Sequence, residues 1–218
     1  MKIQKPNIPV SRQDVCDDFY QLVQQARQED IDLTGLCIRG VCLDNEDLSG
    51  ICFHGVILEN CKFIGCCFER ASFVDAVFQN CDFSGSDFSS CYFNRCEVNR
   101  CKWMGANLSA VMLRHVTMTQ NNFVMVTFDY SKWNTVRATE NDMSSANFYQ
   151  CEFTQFQFGD TRLCGAVFFK TPLKGMNLTN AQIDGLVVSD RLEELKGAEV
   201  NLLQAVELAK LLGVIIRE

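Results

Sequence analysis

Large apolar side chains in this sequence fall on a five-residue beat, and that beat limits the fold more than any other feature. Reading every fifth residue from Leu33 to Ile183, thirty of thirty-one positions are large and apolar, with Ala138 the exception. A background apolar frequency of about one half gives roughly fifteen. The residue two places earlier is small or β-branched, as at Cys61, Cys66, Ala71, Ala76, Cys81, Ser86, Cys91 and Val111. A period of five fits neither the 3.6 of a helix nor the 2.0 of a strand, so each pentad is a unit with its own turn and two inward places. The chain therefore winds as a solenoid. Backbone groups of successive coils must pair, which sets a rise of about 4.8 Å per coil. Each coil buries its large residues only against the coils above and below, so a stack is stable where a single coil is not.

Composition narrows the function classes. With 47% apolar and 22% charged residues among 218, the chain has the balance of a globular protein and enough length for a core without disulfide staples. No apolar run approaches the roughly eighteen residues of a spanning helix, and Lys2 and Lys5 precede Pro6 and Pro9 rather than an apolar stretch. The expectation is a cytoplasmic protein that does not engage a membrane. A net charge of −7 disfavours nonspecific binding to nucleic acid and points to a protein partner.

Thirteen cysteines raise the question of metal or thiol chemistry. Cys91, Cys96 and Cys101 are spaced C-x4-C-x4-C, which is the repeat itself and not the paired spacing of a structural zinc site. Seven of the thirteen occupy the small inward place, where a thiol acts as a small hydrophobe. Cys61, Cys81 and Cys101 fall in one column at about 4.8 Å, with Asn121 and Asn141 continuing it; parallel side chains predict that the thiols stay reduced. The two histidines, His54 and His115, sit at outward places three coils apart, and the glycines mark turns of the frame and not a phosphate loop. No catalytic residue, cofactor or metal is expected. A thiol-dependent enzyme or metal protein is the least favoured class.

The two ends break the beat. Ser11 reads as a helix N-cap with Asp14 three residues on, and Val15, Phe19, Leu22, Val23 and Ala26 recur at helical spacing, predicting a lid over the first coil. Towards the C-terminus, Ser189 caps a short helix predicted to end at Gly197, and Asn201 with Gln204 resembles a capping box. Leu202, Leu203, Val206, Leu208, Ala209, Leu211 and Leu212 follow, Gly213 stops the helix, and Val214, Ile215 and Ile216 form an apolar run. This is more apolar surface than one coil end hides, and a second copy of the chain is the expected cover.

Charge is uneven along the rod: nine acids against three bases in residues 31–90, two against six in 91–139, five against three in 140–185. One side, holding pentads 46–50, 66–70 and 86–90, carries Glu46, Asp47, Glu69, Asp87 and Asp129 and is the candidate partner face. A basic belt of Arg95, Arg100, Lys102, Arg114, Lys132 and Arg137 interrupts the acids. Duplex DNA carries about one charge per 1.7 Å, so any likeness to it is local to the first coils.

Residues 82–86 (Asp-Phe-Ser-Gly-Ser) and 106–110 (Ala-Asn-Leu-Ser-Ala) typify a pattern that resembles the pentapeptide-repeat family over residues 31–185. That resemblance implies an all-β solenoid, a right-handed quadrilateral β-helix with four pentads per coil, nearly eight coils and a length of roughly 37 Å at about 4.8 Å per coil. An N-terminal cap over 1–30 and a C-terminal helical dimerisation module over 186–218 complete the expected organisation. The tail is similar to that of the Qnr-type subgroup, through Ala-Gln-Ile-Asp-Gly at 181–185, Leu-Lys-Gly at 195–197 and Leu-Leu-Gly-Val-Ile-Ile at 211–216. Those proteins protect DNA gyrase and topoisomerase IV from fluoroquinolones. The resemblance implies a homodimer through Leu202, Val206, Leu208, Ala209, Leu211, Leu212, Val214 and Ile215, an acidic, partly DNA-mimicking face around Asp47, Glu69, Asp87 and Asp129, and no direct binding of nucleic acid. With no inserted residue from 33 to 183, the sequence looks like the loopless chromosomal type. The alternative is a structural or interaction pentapeptide protein with a different partner.

Overall fold

Residues twenty apart lie side by side throughout the rod. The computed structural model describes residues 1–9, 13–15 and 18–217. Parallel pairing at this interval runs from Leu33↔Phe53 and Cys37↔Ile57 through Val136↔Phe156 without a slipped residue. The column Asp47, Cys67, Asp87, Asn107, Thr127, Asn147, Val167 and Val187 climbs the same ladder. Four pentads per twenty-residue coil give four sides, and no residue is inserted between 33 and 187.

The four sides are not alike, and the residue before each central apolar one shows why. On the first two sides that place holds strand-favouring residues such as Ile57, Val77, Tyr92 and Thr117, and the upper coils merge these sides into eight-residue strands: Tyr92–Asn99, Met112–Thr119, Lys132–Thr139 and Glu152–Gly159. On the third and fourth sides the same place often holds Asp or Asn, whose side-chain oxygen accepts the amide two residues on and folds the pentad into a turn. Asp82 accepts from Ser84 at 3.1 Å, Asn107 from Ser109 at 3.1 Å, Asn122 from Val124 at 3.0 Å and Asp142 from Ser144 at 3.0 Å.

Nearly every corner turns through the left-handed region. The last residue of each pentad from Gly35 to Gly185 has φ between 51° and 73°, with Asp160 and Asn180 the exceptions. Ten of these corners are glycine; the others include Arg70, His115, Tyr130 and the β-branched Thr135.

Inside, rings stack at the coil spacing: Phe53 on Phe73 at 4.8 Å, Phe68 on Phe88 at 4.4 Å and Phe148 on Phe168 at 4.6 Å, all within 12° of parallel. The irregularity in the frame is compensated locally. Ala138 leaves space, and Phe156, which sits where a small residue is usual, turns its ring edge-on to Trp133 at 5.2 Å and Phe158 at 4.4 Å. Phe153 and Phe156 are only half-buried, because the next coil has no strand over residues 172–179 to cover them.

Helix α1 (Phe19–Glu29) closes the first coil by placing Phe19 against Phe53 and Phe63, with Val23 and Ala26 buried beside it. The lid is as expected, but its start is not. Asp18 is the N-cap, and Val15 belongs to the strand Gln13–Val15, which adds to the ladder through Val15↔Ile38. Ser11 lies outside the described residues. At the other end, the segment expected to be a short helix is a final irregular coil. The Leu173 amide donates to Glu194 and the Leu178 amide to Glu199, where lower coils pair as Phe63 to Asp82, so two extra residues are accommodated. Only Glu193–Leu195 form a 3-10 turn. Ser189 does not cap it but donates its hydroxyl to Glu194 at 2.7 Å. Helix α2 (Leu202–Lys210) then begins with the expected capping box of Asn201 and Gln204. The Gln204 amide also donates to the carbonyls of Leu178 at 2.7 Å and Ala181 at 2.6 Å, sealing the end of the rod.

Candidate functional site

The interior is used up by folding. At the small inward place, side-chain donors reach the carbonyl twenty-three residues earlier: Cys91 Sγ to Phe68 at 2.9 Å, Ser86 Oγ to Phe63 at 2.6 Å, Asn121 Nδ2 to Val98 at 2.9 Å. The same place accepts amides from the coil below, as Cys66 donates to Ser86 Oγ at 3.0 Å and Cys101 to Asn121 Oδ1 at 2.8 Å. Treating these thiols as small hydrophobes is therefore incomplete. The site selects small donors, which is why Cys, Ser, Thr and Asn share it. Burial pushes the Cys96 thiol up to about 12 and that of Cys151 to about 11, far from a nucleophile's range. The seven cysteines of the small inward place carry free thiols, and among the described residues no three His, Cys, Asp or Glu side chains group as a metal site.

Function is thus left to the outside, where many charges have structural work. Ion pairs join residues twenty apart: Arg39 to Glu59 at 2.8 Å, Arg95 to Asp75 at 2.6 Å, Lys102 to Asp82 at 3.8 Å, Lys132 to Glu152 at 3.1 Å, Arg162 to Asp142 at 3.5 Å. The basic belt is accordingly part of the ladder. Arg95, Lys102 and Lys132 are paired to column neighbours, Arg100 donates to Asn80 at 3.0 Å, and Arg114 and Arg137 make neither an ion pair nor a side-chain hydrogen bond among the described residues.

The four acids expected to meet a partner lie on the fourth side in two columns: Asp47 with Asp87, and Glu69 with Asp129. Asp47 accepts the Ser49 amide at 2.9 Å and lies 3.4 Å from Arg27; Ser49 and, less strongly, Arg27 hold its carboxyl below the usual range. Glu69 pairs with adjacent Arg70 at 2.7 Å. Asp87 accepts the Ser89 amide at 2.8 Å and the Asn107 side chain at 3.0 Å, and Asp129 accepts the Tyr149 amide at 3.0 Å. Asp87 and Asp129 keep the most unneutralised charge.

One cluster escaped sequence reasoning. Asp75, only 3% exposed, accepts from Nε and Nη2 of Arg95 at 2.6 Å each, accepts the Asn7 amide at 2.9 Å and lies 3.5 Å from His54. Arg95 above all keeps its carboxyl below the usual range. Residues 1–9 form a strap up this corner: Pro9 packs on Gly55, where a Cβ would come within 2.8 Å of Pro9 Cδ, and the Gln4 amide points at His115 Nδ1 at 3.5 Å. The available signal was Asp75 and Arg95 standing twenty residues apart.

The C-terminal end is the other distinctive surface. Leu202 is 81% exposed, Leu212 69% and Ile215 83%, and Leu211 and Val214 are exposed as well. Val206, Leu208 and Ala209 are half-buried, with Leu208 packed on the core. Beside them an apolar groove is lined by Leu192, Leu195, Val200, Leu208, Ala209 and Leu212. No helix among the described residues is long and apolar enough to cross a membrane.

Residues 57–95 match the family model described as pentapeptide repeats, in eight copies. Over that stretch the chain carries pentapeptide repeats. No curated protein matches it in sequence. Among solved structures, this chain is similar to a trypsin-treated form of QnrB1, described as a plasmid-mediated fluoroquinolone resistance protein, at 22% identity over 85% of this chain and 92% of that one, TM-score 0.49. HetL of the cyanobacterium Nostoc, a pentapeptide-repeat protein involved in regulating heterocyst differentiation, is 15% identical over 81% and 92%, TM-score 0.23. A pentapeptide-repeat protein of the Arabidopsis thaliana thylakoid lumen is 22% identical over 66% and 69%, TM-score 0.27. At these identities the likeness is one of fold.

Proposed function

We propose that this chain is a non-enzymatic, Qnr-like protein of the loopless type, which binds DNA gyrase or topoisomerase IV in the cytoplasm and protects it from fluoroquinolones. The observation that carries the reading is the C-terminal end, where the motifs shared with Qnr-type tails build an exposed apolar surface on a rod that needs none for its own core. In this reading two copies join through Leu202, Val206, Leu208, Ala209, Leu211, Leu212, Val214 and Ile215 into one long rod, with residues 186–218 as the pairing module. The fourth side, with Asp47, Glu69, Asp87 and Asp129, meets the basic surface on which the topoisomerase holds DNA. Because Asp47 and Glu69 are neutralised locally, the likeness to DNA is partial and concentrated at Asp87 and Asp129.

A second reading has an observation in its favour. Five ion pairs at the twenty-residue interval and the side-chain turns use much of the outer charge for folding, as a scaffold with a different protein partner would. Retention of purified gyrase subunits on immobilised protein separates the two. The topoisomerase reading predicts retention of at least one subunit; passage of both at micromolar protein favours the scaffold.

A further inference from the structure

Phenylalanine has a fixed place in this molecule, and one residue departs from it. Of seventeen phenylalanines, sixteen point into the rod or pack against its core, whereas Phe169 is 38% exposed on the fourth side. Its ring stacks on Tyr149 at 6.2 Å and 15°, and Tyr149 meets Tyr130, 54% exposed, edge-on at 5.3 Å. Three rings thus form an outward ladder with no part in the core. The ammonium of Lys170 lies 5.1 Å from the Tyr149 ring centre and donates to its hydroxyl at 2.9 Å.

Two of the acids, Glu69 and Asp129, stand on the same column as Tyr149 and Phe169. Glu69, Ser89, Ser109, Asp129, Tyr149 and Phe169 follow one another at twenty-residue steps, so the side changes from carboxylates to rings along its length. Asp129 accepts the Tyr149 amide, which fixes carboxylate and ring next to each other. Rings beside carboxylates suit guanidinium and ammonium groups, which stack on the ring face and pair with the acid. Tyr is also, with Trp and Arg, among the residue types enriched at the hot spots of protein interfaces. The geometry points to this ladder as a binding site for arginine and lysine side chains of a basic protein surface, with Lys170 occupying the place that a partner's cation takes. The inference rests on the reading that the fourth side faces a topoisomerase, and it names the contact: cations stacking on Tyr130, Tyr149 and Phe169.

A fluorescent nona-arginine peptide, titrated by anisotropy in low salt, tests the site without any assumption about the partner. Replacing Tyr130, Tyr149 and Phe169 together by Ala is expected to weaken binding about tenfold. Lys170→Ala is expected to strengthen it several-fold by vacating the Tyr149 ring, and Tyr149→Leu, which keeps bulk without the π face, to weaken it. Unchanged affinity in the triple variant, or Tyr149→Leu binding like the wild type, overturns the proposal. So does a triple variant that sediments as a monomer beside a dimeric wild type, since the ladder is then covered by a second copy. Gyrase retention is read in parallel with Arg137→Ala, on the opposite side, as the control. If wild type ignores gyrase while the peptide results hold, the topoisomerase reading fails and the cation site stands.

Discussion

At the scale of single residues, the fold asks for side chains by conformation and by donor capacity as much as by size. A left-handed corner costs an L-residue about 1 kcal/mol that glycine escapes. Ala110, exposed at φ 56°, and Gly85, at φ 66° with open space where a Cβ would stand, isolate that cost. Ala110→Gly is expected to stabilise and Gly85→Ala to destabilise, each by about 1 kcal/mol in denaturant unfolding. The preference for Phe over Tyr has the same economy: the interior offers no partner for a phenol, and Tyr20, Tyr92, Tyr130 and Tyr149 all keep part of their surface outside. Thiol protection follows from burial. With the Cys96 thiol near 12 and that of Cys151 near 11, the thiolate is scarce at pH 8, so brief iodoacetamide treatment of native protein should label Cys42, Cys52, Cys67 and Cys164 and spare these two. Peptide mass spectrometry reads the result, and labelling of Cys96 at the rate of Cys42 would contradict it.

At the scale of elements, the coil is locked sideways by the ladder and vertically by rings. Phe83 is fully buried among Phe63, Phe68, Phe88 and Trp103, and Phe83→Ala is expected to cost about 3–5 kcal/mol. The Asp75–Arg95 pair holds both a corner and the strap, and Arg95→Ala, which strands a buried carboxylate, is expected to cost about 3 kcal/mol at pH 7. The pH dependence has a definite sign. A carboxyl lowered in the folded state adds stability that is complete above the unfolded value of about 4 and is lost as pH falls through the folded value. The gap between wild type and Asp75→Asn should therefore be widest at neutral pH and shrink below about pH 4. The beat of five made the coils legible, because burial repeats wherever the backbone repeats. The charge ladder was legible in principle, since Asp75 and Arg95, or Asp82 and Lys102, stand one coil apart. The strap was not: residues 1–9 follow no period, and their contacts with Asp75 and Gly55 depend on a neighbour that only the folded corner supplies. The last coil was misread as helix because its irregular stretch carries helix-favouring Glu193, Glu194 and Leu195 without the length to propagate one.

At the scale of the molecule, ladder charges and side-chain turns maintain the rod, while Asp87 and Asp129 on the fourth side make no ion pair among the described residues and the C-terminal end exposes apolar side chains. The placing of acids on the fourth side and the exposed apolar C-terminal end were both legible in the sequence, the first by sorting acids onto sides and the second by an excess of Leu and Ile beyond the last coil. What sorting could not weigh was how many acids are already occupied by Arg27, Arg70 or backbone amides. The exposed Leu212 offers a cleaner probe of pairing than Leu208, which also packs on the core. Leu212→Glu should leave the rod folded and sediment as a 24.7 kDa monomer where the wild type sediments at twice that mass. The most direct test of the whole account is gyrase supercoiling in the presence of ciprofloxacin, with graded amounts of wild type and of Leu212→Glu. Restoration of supercoiling by the wild type, and little or none by the variant, is the predicted result; drug inhibition unchanged by micromolar wild type would contradict it.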